Sequence, residues 1–256
     1  MARLAGWACA ALLAWATPVA SQSLPVGPPA VAAWGLATGA ERLARLHAQV
    51  SQDVLTSRSR RGMAECLREL ESGARQALAR APEADIREAL QLYLLVLADA
   101  RALTLRPSTR EQSRKVLDRA EELAWAAESA ARGLQSNSLT AALPAPSAVA
   151  QAALLSQRLA RERLFERWEP RTGADPGATR TALEREMREL HASLASDPEA
   201  VTELQLADNQ LQFLHELPKG RLATREAETA AKAADQVLES LTRLSRRLQP
   251  VSGRPR

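Results

Sequence analysis

The chain has 256 residues, of which 46% are hydrophobic and only 3% aromatic, and its net charge is +4. Alanine and leucine dominate the apolar content, arginine and glutamate supply most of the charge, and runs of β-branched residues are absent. This mixture favours packed helices over sheets, and the charge is too balanced to indicate a nucleic-acid partner. The length allows one large domain or two of about 100–120 residues each.

Residues 1–21 have the outline of a secretory signal peptide. Arg3 precedes an apolar run from Leu4 to Ala16, and small residues follow. The run is shorter than the roughly 20 residues that a membrane span requires, and no later segment is apolar enough to be one. We therefore expect an exported, soluble periplasmic protein that is not an integral membrane protein.

Eight helices are predicted in chain order from apolar residues at 3.6-residue spacing and from turn residues between them. An extended Pro-rich leader precedes the first of them, and a loop with three arginines is expected at Thr56–Gly62. Ser108 and Glu111 have capping-box spacing, and Asp197 is placed as an N-cap before Pro198. The predicted helices span residues 34–54, 63–81, 83–103, 108–134, 148–168, 178–195, 198–217 and 223–248.

Short motifs of the first half return in the second. Leu-Arg-Glu-Leu at 67–70 is echoed by Met-Arg-Glu-Leu at 187–190, and Pro-Glu-Ala at 82–84 returns at 198–200. The two offsets differ by about one helical turn. The predicted fold is therefore all-α, with two tandem antiparallel four-helix bundles at 34–135 and 148–249, a linker at 136–147 and a frayed tail at 250–256.

The first helix is predicted to be amphipathic. One face carries apolar residues and a histidine, namely Leu36, Ala40, Leu43, His47, Val50 and Val54. The opposite, polar face carries Thr38, Arg42, Arg45, Gln49 and Asp53. In such a helix we expect the first face to point inward.

The fifth helix contains the string Leu-Leu-Ser-Gln-Arg-Leu-Ala-Arg at 154–161. This string resembles the helix that opens the PilJ-type domain, the N-terminal domain of type IV pili methyl-accepting chemotaxis transducers, which reads roughly AGRQRMLSQRMAK. In the first helix, Gly39, Arg42 and Leu43 fall on the glycine, second arginine and first methionine of the same pattern. The resemblance implies two copies of a helical module, the first one degenerate.

The resemblance also implies an anion site. The PilJ-type helix is similar to the ligand helix of nitrate-sensing receptor kinases, where an arginine three residues after a glycine contacts the anion at a dimer interface. That position is Arg42 in the first unit and Ala153 in the second. A guanidinium presents a planar donor fork to an oxyanion, and Arg45 lies less than one turn away. Alternatively, both arginines are exposed helix charges, with Arg45 paired to Glu41.

Ser156, Gln157 and Arg158 form a polar ridge that is also open to two interpretations. In the first interpretation they line a site for a small polar ligand or take part in a contact between helices. Alternatively, Arg158 pairs with Glu162 one turn on, and Ser156 and Gln157 face solvent.

Nothing in the chain indicates catalysis. The three histidines, His47, His191 and His215, form no metal-binding pair, and there is no nucleophile elbow or glycine-rich phosphate loop. His47 is predicted to be a core histidine. Cys66, the one cysteine left after cleavage, is predicted to be a small buried hydrophobe. We expect no enzyme activity, no cofactor and no metal.

The function expected from these features is that of an exported sensory module. It would bind a small, nitrate-like anion and relay the signal to a membrane receptor or chemosensory protein. The competing interpretation is a structural or interaction scaffold of the cell envelope without a small-molecule ligand. The sequence leaves open whether two chains form a homodimer.

Overall fold

A computed structural model describes residues 29–136, 145–168, 176–218, 220 and 222–249. In this part of the chain all regular structure is α-helical, as predicted, and no helix is long and apolar enough to cross a membrane. The signal peptide predicted at 1–21 and the tail at 250–256 lie outside the described residues. The helices are α1 (Pro29–Ser51), α2 (Thr56–Arg80), α3 (Ala84–Thr104), α4 (Arg110–Ser136), α5 (Ala145–Phe165), α6 (Pro176–Leu194), α7 (Pro198–His215) and α8 (Thr224–Leu248).

Pro29 and Pro146, which are predicted to lie in the leader and in the linker, lie instead at the starts of helices. α1 begins at Pro29, and α5 begins at Ala145 with Pro146 in its first turn, so both helices start earlier than predicted. Proline is tolerated there because the first amides of a helix have no intrahelical acceptor. The predicted linker at 136–147 is correspondingly shorter, since α4 reaches Ser136, and residues 137–144 lie outside the described part.

The loop predicted at Thr56–Gly62 is wrong: these residues form the first turns of α2. The chain reverses just before them, where Asp53 and Leu55 adopt positive φ angles of 55° and 49°. This tight turn completes the connection, and the residues that follow can form helix, since arginine has a high helix propensity and serine an intermediate one.

Two sets of four helices are each closed by neighbour contacts. In the first set, α1 packs against α2 and α4, and α3 packs against α2 and α4. In the second set, α5 packs against α6 and α8, and α7 packs against α6 and α8. Each set encloses a large apolar cluster, the first of which also includes Ala150 and Leu154 of α5, and α1 and α5 pack directly against each other.

Helices α1 and α5 run side by side in the same direction. Near the middle of α1, Glu41 contacts Arg158, and past its end Gln52 donates to the carbonyl of Leu164 at 2.9 Å. The contacts therefore advance together along both helices. A third small cluster, which includes Val54 and Leu164, closes this end of the α1–α5 contact.

The predicted apolar face of α1 is buried throughout, from Leu36 to Val54. Its predicted polar face, however, is not a solvent face, because Thr38, Arg45 and Gln49 are buried as well. The reason is that α1 has neighbours on several sides: α2 and α4 in its own set, and α5 of the other set. Polar side chains that line such a helix must find partners inside the protein.

Candidate functional site: a cavity between four helices

A cavity of about 70 Å³ lies where α1, α2, α5 and α8 meet. Its walls are largely apolar and include Val31, Leu70, Val149, Leu238 and Leu241. Polar side chains reach it from three of the helices, among them Arg42, Cys66, Glu69 and Ser245. An apolar cavity with a few converging polar groups is the usual form of a small-molecule site.

The two helices in which the sequence resembles the PilJ-type pattern, α1 and α5, both contribute to this cavity. Gly39 and Arg42 line it from α1, and Ala150 and Ala153 line it from α5. In the resemblance described above, Gly39 and Ala150 fall on the glycine of the PilJ-type pattern, and Arg42 and Ala153 fall on its second arginine. The side-by-side packing of α1 and α5 thus brings corresponding positions to one place.

Arg42 lines the cavity and is incompletely paired. Its Nη1 lies 3.4 Å from Oε2 of Glu69, a long contact, and 15% of the Arg42 side chain and 17% of the Glu69 side chain are exposed. The Nε atom of Arg42 is buried and has no hydrogen-bond partner. Burial raises the pKa of the Glu69 carboxyl, and the charge of Arg42 only partly offsets this effect. Arg42 therefore retains donor capacity for a further acceptor.

Two other polar groups of the cavity differ in whether they are satisfied. Ser245 is 5% exposed, and its hydroxyl has no hydrogen-bond partner. Cys66 is buried, as predicted, and its thiol donates to the carbonyl oxygen of Gly39 at 3.2 Å. Burial raises the pKa of this thiol to about 11, so it remains protonated at neutral pH. The unsatisfied serine is the unusual one, since buried hydroxyls normally have a partner.

Gly39 is required by the close approach of α2 to α1. A Cβ atom at this position would lie 2.4 Å from Cδ2 of Leu70. The missing side chain lets Leu70 pack against the backbone of α1, and Leu70 forms part of the cavity wall. Gly39 therefore shapes the site through the absence of a side chain, and its backbone carbonyl accepts from the Cys66 thiol.

Arg45 is not part of this cavity. It is fully buried, its Nη2 contacts Oδ1 of Asp235 on α8 at 2.5 Å, and its Nη1 donates to the carbonyl of Ala231. The pairing with Glu41 considered in the sequence analysis is wrong. Burial would raise the pKa of Asp235, but Arg45 and Arg58 outweigh that effect and hold the pKa below its usual value. Arg45 thus joins α1 to α8 through a charged pair.

Ser156 and Gln157 are buried, so the alternative in which they face solvent is wrong. The hydroxyl of Ser156 donates to the carbonyl of Ala153 at 2.8 Å. The amide of Gln157 donates to the carbonyl of Ala234 on α8 at 2.9 Å, and its Oε1 has no partner. Both side chains are used within the protein, Gln157 as an interhelix contact.

Arg158 connects three helices. Its Nε donates to Glu41 of α1 and its Nη2 to Glu128 of α4, each at 2.7 Å. Burial disfavours its charge, but these two carboxylates outweigh burial and raise the pKa of Arg158. The alternative in which Arg158 pairs with Glu162 is wrong, because Glu162 instead accepts from Thr179 and approaches Arg161. The buried Glu41 also lies 3.0 Å from Arg161.

Of the polar residues that line the cavity, Arg42 was predicted from the sequence, and Glu69 and Ser245 were not. Glu69 lies in a charge-rich stretch of α2 where nothing marks one glutamate above the next. Ser245 carried a weak signal, because it follows Leu238 and Leu241 on the apolar stripe of α8, where a hydroxyl is out of place.

Histidines and metal ligands do not form a second site of this kind. His47 is buried, its Nδ1 lies 2.8 Å from the hydroxyl of Ser113, and burial lowers its pKa to about 4. His191 contacts Asp208 in a separate groove between α6 and α7. Among the described residues, no group of three or more His, Cys, Asp or Glu side chains is placed to hold a metal ion.

Comparisons with known proteins add no relative: no family model, no curated protein and no solved structure matches the chain. The function must therefore be argued from the cavity and its residues.

Proposed function

We propose that this chain is an exported, non-catalytic sensory module that binds a small anionic group at the cavity between α1, α2, α5 and α8. In this proposal the two helix sets are two tandem antiparallel four-helix bundles of PilJ type. The observation that supports it is that α1 and α5, the two helices that carry the resemblance, line one cavity with Gly39 and Arg42 from α1 and Ala150 and Ala153 from α5. The resemblance implies a site formed between two such helices, each the first helix of its PilJ-type unit.

The donor geometry supports binding at Arg42. Its Nε is buried without a partner, and its contact to Glu69 is long. An incoming oxyanion gains charge-assisted hydrogen bonds from a guanidinium that is already held in place. The second arginine of the family site is absent, since Ala153 has no donor, so one guanidinium carries the recognition.

A relay to a separate partner is part of this proposal. The cavity lies directly beside the contact between α1 and α5, where Glu41, Arg158 and Arg161 form a buried charged network. A ligand that shifts one of these helices must rearrange that network, and helix shifts across an interface are a common means of signalling. The partner would be a membrane receptor or a chemosensory protein, and a second copy of the chain is also compatible with the proposal.

A scaffold function is the second candidate, and it rests on a different surface. Leu95 on α3 and Trp125 on α4 expose 66% and 62% of their surface, and Leu92 is exposed as well. Helices α3 and α4 pack against each other, and a contiguous patch of such side chains would be typical of a surface that binds another protein. Such a surface fits a protein partner with or without a ligand in the cavity.

The test is thermal unfolding with nitrate, nitrite and small carboxylates. A ligand that binds only the folded chain raises the melting temperature of the protein. At a ligand concentration of one hundred times the Kd, the free energy of unfolding increases by about 2.7 kcal/mol. Arg42→Gln should abolish the shift. Arg68→Gln, which removes an equal charge from the exposed face of α2, should leave it unchanged. If no small anion raises the melting temperature and a partner protein is captured, the scaffold function is correct instead.

A further inference from the structure

The charges of the cavity favour a ligand that carries both signs. Arg42 and Glu69 both line it, so the site holds one cation and one anion. An ion with a single negative charge that took over Arg42 would leave the Glu69 carboxylate, most of whose side chain is buried, without its partner. Leaving one member of a buried pair unpaired is strongly unfavourable. A ligand with an adjacent ammonium group would satisfy Glu69 as well.

The spacing of the two side chains matches such a ligand. Nη1 of Arg42 and Oε2 of Glu69 are 3.4 Å apart. In an α-amino acid the carboxylate and the ammonium are attached to the same carbon, so they can lie against this pair with opposite charges facing. Arg42 and Ser245 both line the cavity, and the Nε atom of Arg42 and the hydroxyl of Ser245 are buried without hydrogen-bond partners in the protein.

The remaining walls select against a polar or large side chain. Leucine and valine residues from all four helices surround the space. Its volume of about 70 Å³ is about half that of the engineered apolar cavity of roughly 150 Å³ that accepts benzene. The space therefore suits a compact ligand with a small apolar group, of the size of alanine.

We infer that the cavity binds a small apolar α-amino acid, with its carboxylate on Arg42, its ammonium on Glu69 and its side chain against Leu70, Leu238 and Leu241. This inference rests on the proposed function, because it assigns a ligand class to the same site. Binding of an amino acid differs from binding of an inorganic anion because it also requires the ammonium group and therefore Glu69.

A ligand series on the unaltered full-length chain tests the inference without any substitution. L-Alanine, propionate, ethylamine and nitrate are titrated by calorimetry under one buffer condition. L-Alanine should bind, and propionate and ethylamine, which each lack one charge, should bind at least about tenfold more weakly, equal to about 1.4 kcal/mol. Equal affinities for L-alanine and propionate would overturn the inference.

Glu69→Gln provides the complementary test. This substitution should weaken the binding of L-alanine at least about tenfold. The affinity for propionate should stay unchanged or increase, since the competing carboxylate is gone. Glu65→Gln, which removes the same charge one turn away on α2 and does not line the cavity, should change neither. An unchanged affinity for L-alanine in Glu69→Gln would contradict the inference.

The nitrate titration distinguishes failure of amino-acid binding from failure of the proposed anion-sensing function. Nitrate binding that Arg42→Gln abolishes, without L-alanine binding, would overturn the amino-acid inference and leave the anion-sensing function standing. If neither nitrate nor any of the three organic ligands binds, both fail.

Discussion

At the scale of single residues, the arginines of α1 have different environments although they lie less than one turn apart. Arg42 has a buried Nε without a partner and lines a cavity, whereas Arg45 is fully buried against Asp235. The difference arises because α8 presents an aspartate to one of them and the apolar wall of the cavity to the other. We therefore assign ligand binding to Arg42 and structural pairing to Arg45.

Arg45→Met should destabilise the protein by about 3 kcal/mol, because it leaves Asp235 without its main partner in a largely buried position. Adding Asp235→Asn should recover part of this loss, since it removes the isolated charge. Arg58→Gln is the matched control: it removes a half-exposed arginine from the same aspartate and should cost less than about 1 kcal/mol. Urea unfolding measures all three, and equal losses from Arg45→Met and Arg58→Gln would contradict the assignment.

At the scale of helices, α1 and α2 approach closely at one point because a side chain is missing there. Gly39 lies in the interior of α1, where glycine lowers helix stability by about 1 kcal/mol relative to alanine. Its retention is explained by Leu70, which occupies the place that a Cβ atom would take. Glycine at this position thus lowers the helix propensity of α1 but allows close packing between α1 and α2.

Gly39→Ala should lower the free energy of unfolding by about 1–2 kcal/mol, because the overpacking of Leu70 outweighs the gain in helix propensity. Gly62→Ala is the opposite case. A Cβ at Gly62 would lie at an ordinary 3.5 Å from Leu46, so this change should stabilise by up to about 1 kcal/mol. Calorimetric melting of the two variants provides the comparison, and a stabilising Gly39→Ala would show that α1 and α2 separate easily at this point.

Helix positions were largely predictable from the sequence, and their starts were not. The 3.6-residue spacing located the eight described helices, since a buried stripe constrains sequence over many residues. The starts failed at Pro29 and Thr56 for local reasons: proline suits a first helical turn, and a two-residue reversal at positive φ needs no glycine when tertiary packing holds it. The serines and glycine after Thr56 are typical of a loop, but the actual turn is short and ends before them, so these residues belong to α2.

At the scale of the whole molecule, the charged partners lay beyond what sequence could show. The local pairs Glu41–Arg45 and Arg158–Glu162 obey i,i+4 spacing, yet both arginines pair with residues of other helices. Spacing rules assume a helix with one solvent face, and α1 and α5 lack such a face because each helix packs on three neighbours. Arg42 lines the cavity and is also the residue that the PilJ-type resemblance selects, while the places of Glu69 and Ser245 in its wall depend on how α2 and α8 are positioned.

Acid stability should depend on the buried His47 beside the α1–α4 contact. Burial lowers the pKa of this imidazole from the usual value of about 6.5 to about 4. Between these two values the unfolded chain binds a proton that the folded chain does not, so the stability of the fold falls as pH falls. The full stabilisation is present above about pH 6.5, and the loss on acidification is on the order of 3 kcal/mol.

His47→Gln should remove this component, because glutamine can still hydrogen-bond to Ser113 and does not titrate. We expect the stability difference between about pH 7 and about pH 4.5, measured by urea unfolding, to be smaller in His47→Gln than in the unaltered chain. His191→Gln, which removes a partly exposed histidine paired with Asp208, should retain the full dependence. If both variants lose stability in parallel with the unaltered chain, the buried imidazole is not the group whose protonation opposes folding. The acid sensitivity would then originate in other titrating groups of the fold.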